Sequence, residues 1–248
     1  MTHAILLLVT GFFAGIINTL AGGGSNLTLP ALMVMGMPAD VANATNRVGV
    51  FMQSMVAVFS FKKHGKLDTD DKVPILIPTV IGGVFGAAGA AYAPSEWIKP
   101  MLLGTMLLMA LVILVKPSII APELGTPVNK VHQTPSSWWW LGIAGFYGGF
   151  VQAGVGFVLL AALAGSLRYD LVRANALKML CTLVFTSVAL VLFMLEGLIQ
   201  WLPGFILATG AMFGARLAVK MAIKAKPEAL KWFLFVMTLV GCVAAYFS

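Results

Sequence analysis

Arg47 and Lys178 each lie about two turns past an expected helix start, inside stretches that are otherwise apolar. A basic side chain at such depth is costly unless it snorkels to the interface or meets an anion. Neutral hydrogen-bonding residues gather nearby: Asn18, Ser25, Asn26, Thr28, Thr45 and Asn46 in one half of the chain, Gln152, Asn175 and Thr182 in the other. Any one of them can simply bond a helix backbone. Their concentration around two glycine-rich interruptions, one at Gly22, Gly23 and Gly24 and one at Gly154 and Gly156, points to a shared task. A helix broken by glycine exposes amino-terminal N–H groups and their partial positive charge. Cations, amide donors and bare N–H groups together suit an anion. The competing use of the glycines is a tight turn between packed helices, which needs no guest.

Other chemistries lack their parts. All nine carboxylates, including Asp40, Asp71, Asp170 and Glu196, fall in loops or at helix ends, whereas cation pumps and many proton relays place one mid-span. His3, His64 and His132 are scattered through terminal and loop positions, so neither a zinc cluster nor a buried acid–base pair is expected. An intramembrane enzyme would need a nucleophile and base within reach of each other. Cys181 and Cys242 sit in apolar runs without a CxxC pattern. GGGSN lacks the GK[ST] that completes a phosphate-binding loop. No cofactor, metal or catalytic residue is therefore expected. The net charge of +7 comes without any nucleic-acid motif and reads as basic loops of a membrane protein, with no nucleic-acid partner.

The elements that must hold these residues are membrane helices. Of 248 residues, 60% are hydrophobic and 10% charged, too little charge to cover a water-facing surface, where about 25% is usual. The lipid bilayer is the solvent. The sequence also repeats: GFFAGIIN at 11–18 matches GFYGGFVQ at 145–152, and GGVFGA at 82–87 matches GAMFGA at 210–215. All four segments carry GxxxG, the spacing that lets membrane helices approach closely. The pattern predicts an all-α integral membrane protein of two inverted repeats, each a glycine-broken pair (half or re-entrant helix) followed by three transmembrane helices. The broken pairs are expected at 4–21 with 27–36 and at 138–155 with 157–165, and the full helices at 41–61, 73–93, 97–115, 171–195, 198–219 and 229–247. The first repeat is 1–116, a cytoplasmic linker is 117–136, and the second repeat is 137–248. Asp40 and Asp170 are expected to cap the helices that follow them. Arg47 and Lys178 become repeat counterparts after a one-residue shift. The basic loops favour external amino and carboxyl termini under the positive-inside tendency.

GFFAGIINTLAGGG followed by LTLPALMVMGMP and AxxAxxxN resembles the opening of the sulfite exporter TauE/SafE family of bacterial membrane proteins. GFYGGFVQAGVG is similar to that family's second repeat. The resemblance, which covers about 8–240, implies a permease in the cytoplasmic (inner) membrane that moves sulfite, organosulfonates or related sulfur-containing anions. It implies drive by an ion gradient, with a proton or sodium ion as coupling partner. Asn18 and Gly22 to Gly24 fall on the first motif, and Gln152, Gly154 and Gly156 on the second.

The expected binding residues for a small anion are Asn18, Gly22, Gly23, Gly24, Ser25, Asn26, Thr45, Asn46, Arg47, Gln152, Gly154, Gly156, Asn175 and Lys178. Alternating access of the two halves is the expected mechanism. A carrier or channel for another small organic anion, such as a carboxylate, is the main rival.

Overall fold

The computed structural model describes residues 2–67, 70–94, 96–98, 100–101, 104 and 127–224. Most of the helix expected at 97–115, all of that at 229–247, and linker residues 117–126 lie outside the described residues. The described chain is helical throughout: α1 (Thr2–Leu20), α2 (Ser25–Val34), α3 (Ala39–Lys63), α4 (Lys72–Tyr92), α5 (Ser136–Phe150), α6 (Val155–Leu160), α7 (Leu171–Leu195) and α8 (Trp201–Lys224). A short 3-10 turn at Val131–Gln133 precedes α5, and α6 widens into a π-turn over Ala161–Ser166. Among the described residues four helices, α1, α4, α7 and α8, are long and apolar enough to cross a bilayer. At 25 residues, α3 is as long as α7 but buries Asn43, Thr45, Asn46, Arg47, Gln53 and Ser54. The exposed tryptophans Trp138, Trp139 and Trp140 at the start of α5 match the amphipathic rings that populate membrane interfaces.

Lipid tails are as apolar as leucine, so helices in a bilayer associate by close packing rather than by escape from water. Here glycine supplies that closeness. A Cβ on Gly11 or Gly15 of α1 would overlap the carbonyl of Leu207 or Ala211 in α8, and one on Gly210 or Gly214 would overlap that of Leu8 or Phe12. The same arrangement joins α5 to α4. Gly145 and Gly149 lie on the carbonyls of Thr79 and Gly83, and Gly82 and Gly86 on those of Gly142 and Phe146. The first helix of each half thus packs on a later helix of the other half. A Gly214→Val variant is expected to lower the unfolding free energy in an SDS titration by about 3 kcal/mol, the upper end of typical overpacking costs. Gly142→Ala, whose Cβ meets nothing nearer than the Pro78 carbonyl at 3.8 Å, should stay near the parent.

Both expected interruptions are present. At the end of α1 the N–H groups of Ala21 and Gly22 both donate to Ile17 O (2.7 and 3.0 Å), and Gly22 takes φ +102°. At the end of α5 those of Val151 and Gln152 both donate to Tyr147 O (2.9 and 3.3 Å), and Gln152 takes φ +68°. A side chain in the left-handed region costs on the order of 1 kcal/mol, so Gln152 is held there by its surroundings. The two endings differ in length. Past its GxxxG, α1 runs on from Gly15 to Leu20, whereas α5 stops one residue after Gly149. Asn18 therefore sits in the last turn of α1, while Gln152, its match in the aligned motif, is already beyond the end of α5. The breaks touch: Gly156 N–H donates to Gly22 O at 3.3 Å, and a Cβ on either glycine would overlap the other's Cα.

Two local expectations need correction. Asp170 caps α7, accepting from Val172 and Arg173 N–H at 3.0 and 3.1 Å. Asp40 does not cap α3; Pro38 precedes the helix, Ala39 begins it, and Asp40 lies in its first turn, accepting from Val41 N–H at 2.9 Å. With Pro38 at the cap, its φ fixed by the ring, the helix starts two residues earlier than the aspartate would start it. The second short helix also begins earlier than expected, at Val155, directly after Gly154 in the left-handed conformation.

Candidate anion-binding site

Among the described residues, both buried cations grip the end of a broken helix. Arg47, fully buried, donates through Nη1 to Gly148 O and Gln152 Oε1, and through Nη2 to Gly149 O at 2.8 Å and Phe150 O at 3.3 Å. Nη2 also lies 3.4 Å from Asn43 Oδ1, and the guanidinium sits 5.5 Å from the centre of the Phe193 ring. Asn43 in turn donates to Phe150 O at 2.9 Å. Arg47 of α3 thereby holds the last carbonyls of α5, and Lys178 of α7 does the converse. Its Nζ donates to Asn18 O at 2.8 Å and Thr19 O at 3.0 Å, in the last turn of α1, and to Asn175 Oδ1 at 2.6 Å. Carbonyls at a helix carboxyl end carry a partial negative charge, so a cation is favoured there.

The two residues are not in register. Counted from the helix starts at Ala39 and Leu171, Lys178 is in step with Asn46, and Arg47 with Met179. The pattern of buried residues along the two helices agrees with this count, and so does Asn43 with Asn175. The resemblance between Arg47 and Lys178 lies in what they hold, a helix end in the other half, rather than in position along the repeat.

Around these latches, donors outnumber acceptors. Among the described residues the buried side-chain atoms without a hydrogen-bond partner include four N–H groups, Asn18 Nδ2, Arg47 Nε, Gln152 Nε2 and Asn175 Nδ2, and two hydroxyls, on Thr19 and Ser54. Asn26 Oδ1 alone among them is a pure acceptor. A buried donor left unpaired costs roughly 1–3 kcal/mol, so such an excess calls for an acceptor-rich guest or water. The one buried carboxylate among the described residues is Asp71, which receives Val131 N–H at 2.8 Å at the start of α4.

The first-half residues form a second cluster at the amino end of α2. Thr28 donates to Asn46 Oδ1 at 2.6 Å, and Asn46 Nδ2 donates to Ser25 Oγ at 3.1 Å. Gly24 is pressed against the Ala14 carbonyl and the Asn18 Cβ, and Gly23 against the Phe157 ring. Thr45 is turned elsewhere, its Oγ1 accepting Gln200 N–H at 3.0 Å. Gln152 Oε1 is shared between Arg47 and the Thr186 hydroxyl at 3.5 Å. Asn43, Gln53, Ser54 and Thr186 join the expected residues. Asn43 stands one turn before Arg47, and Gln53 and Ser54 interrupt the apolar run FMQSMVAVF; those were the signals that could have found them.

Residues 7–245 match the family described as Sulfite exporter TauE/SafE. The chain belongs to this family. It is similar to a probable membrane transporter protein of Haemophilus influenzae, with 29% identity over 223 residues, 88% of this chain and 84% of that protein. It is similar also to the probable membrane transporter protein YfcA of Escherichia coli K12, with 26% identity over 237 residues, 95% of this chain and 86% of the other. The similarity to the probable membrane transporter protein YunE of Bacillus subtilis is 23% identity, covering 98% of this chain and 97% of the other. This TauE/SafE chain is thus a multi-pass membrane transporter and not an enzyme. Among its described residues no group of three His, Cys, Asp or Glu side chains could hold a metal ion.

Proposed function

We propose that this transporter carries small sulfur-containing anions, sulfite or an organosulfonate, across the cytoplasmic membrane by alternating access of two inverted repeats, 1–116 and 137–248. The observation that carries the reading is the pair of fully buried cations, Arg47 and Lys178, beside two touching helix breaks with no carboxylate among the described residues to neutralise them. A helix carboxyl end offsets only about half an elementary charge, so the interior stays positive, and the unpaired amide donors complement oxyanion oxygens. The reciprocal glycine packing, α1 on α8 and α5 on α4, supports inverted halves. The choice of sulfur chemistry rests on the family alone, because one fold can serve several anions.

In this reading the guest sits near Asn18, Gly22 to Gly24, Ser25, Asn26, Asn46, Gln152, Gly154, Gly156 and Asn175. Arg47 and Lys178 set its charge, and Thr45 braces the wall behind. The linker 117–136 is cytoplasmic, both termini are external, and a proton or sodium gradient supplies the drive. Proteoliposomes loaded with labelled sulfite, methanesulfonate, acetate or choline test the charge and class of cargo. Saturable flux of the two sulfur anions, at least about tenfold above that of acetate and choline, is expected, a preference of about 1.4 kcal/mol. Equal flux of choline would overturn the anion assignment, and equal flux of acetate the sulfur preference.

A further inference from the structure

The two halves differ where a guest could lodge. In the first half a narrow cavity, with room for about one water, lies between Ala14, Gly24, Ser25, Thr28, Asn46 and Gln53. Leu207 and Ala211 of α8 also line it. Its counterpart in the second half is filled. Gln53 and Phe185 are each the fifteenth residue of their helix. Ala14 matches Gly148 in the GxxxG helices, and Ala211 matches Gly83. The Phe185 ring lies where a Cβ on Gly148 would stand, and its own Cβ where one on Gly83 would stand. Phe185 is fully buried. Glycine at both positions makes room for a phenyl group in one half, while alanine and an amide line a hollow in the other.

The hydrogen-bond directions around the hollow favour an acceptor. Thr28 donates its proton to Asn46, and Asn46 donates to Ser25 Oγ, which leaves the Ser25 O–H as the free end of the chain. Gln53, 3% exposed, lines the same space. Asn18, 4% exposed with an unpaired Nδ2, packs its Cβ on Gly24 beside the first turn of α2. No carboxylate and no basic side chain lines the cavity. A helix amino end, the Ser25 hydroxyl and the buried Gln53 side chain therefore meet at this cavity, with Asn18 packed beside it.

We infer that this transporter binds a single oxyanion headgroup per chain, in the first-half cavity under Gln53, Ser25 and the amino end of α2, and that Phe185 closes the equivalent place in the second half. The inference rests on the anion reading above and narrows it to one half. Gln53 and Ser25 become the residues that set preference for a sulfite-like headgroup, and the water-sized hollow must widen to admit it.

The test is calorimetric titration of the whole chain in nanodiscs with inorganic sulfite and with methanesulfonate. One guest per chain is expected, with Gln53→Leu and Ser25→Ala each weakening binding by about tenfold or more, as loss of a buried donor to an anion does. Gln53→Glu keeps the side-chain shape but offers only acceptors when ionised; it carries the test if Gln53→Leu does not fold, and is expected to abolish binding. Binding of sulfite alone would mark an inorganic guest, and binding of both would mark the headgroup of an organic sulfonate; either supports the site. Two guests per chain, or parental affinity in the folded Gln53 variants, would overturn the inference. If the parent chain bound neither anion, the sulfur-anion reading itself would fail, whatever the variants did.

Discussion

Arg47→Gln is expected to reduce saturable anion flux by about 100-fold or more, a loss near 2.7 kcal/mol, with the protein still inserted in the membrane. Glutamine can replace one of the four strong contacts that Arg47 makes to Gly148 O, Gly149 O, Phe150 O and Gln152 Oε1, but not the fork that reaches them together. The freed carbonyls at the end of α5 would lose their donor, and one of the two buried cations among the described residues would be lost. Arg47→Lys keeps the charge and loses the fork. Flux in the lysine variant midway between parent and glutamine would separate the two contributions. Lys178→Gln is expected to act in the same direction with a smaller effect, since its three bonds go to Asn18 O, Thr19 O and Asn175 Oδ1 from one rotatable ammonium. Unchanged flux in both glutamine variants would remove these residues from the transport site.

Gly22→Ala and Gly156→Ala are each expected to abolish flux and to lower the unfolding free energy by about 3 kcal/mol or more, because both added methyl groups would have to enter backbone. The Gly22 methyl would overlap Gly156 Cα while forcing a side chain into φ +102°, and the Gly156 methyl would overlap Gly22 Cα. Gly23→Ala makes the informative contrast. Its methyl would meet the edge of the Phe157 ring, which can turn aside, so a cost within about 1 kcal/mol and near-parental flux are expected. Of the three consecutive glycines, Gly22 meets the other half and Gly24 fits over the Ala14 carbonyl, while Gly23 has the most latitude. Unfolding titrations and flux on the same three variants rank these roles.

Much of this arrangement was legible in the residues. GxxxG at Gly11, Gly82, Gly145 and Gly210 announced close helix packing, and the interruptions at Gly22 and Gly154 announced breaks, because no other residue type costs so little in left-handed backbone. The polar residues near those breaks were legible for the same reason, since an apolar span has few uses for asparagine. Other features depended on three-dimensional register. FVQAG contains nothing that marks the early stop of α5, since Gln152 takes the left-handed conformation that glycine takes at the first break. The matching of Arg47 with Lys178 failed because the connections before α3 and α7 differ in length, so alignment on Asp40 and Asp170 drifts from the packed register. That both cations would hold helix carboxyl ends was likewise hidden, because it depends on contacts 101 to 160 residues apart in sequence. The contrast between Gln53 and Phe185 emerges only when both helices are counted from their true starts.

The mechanism stands most directly on counterflow. Vesicles containing the parent chain and preloaded with unlabelled methanesulfonate should accumulate external labelled sulfite transiently above equilibrium, because a carrier that rocks around one anion returns loaded. The overshoot should vanish in Arg47→Gln. Sulfite that enters only to equilibrium, at the same rate with or without the preload, would contradict a carrier built on two touching helix breaks.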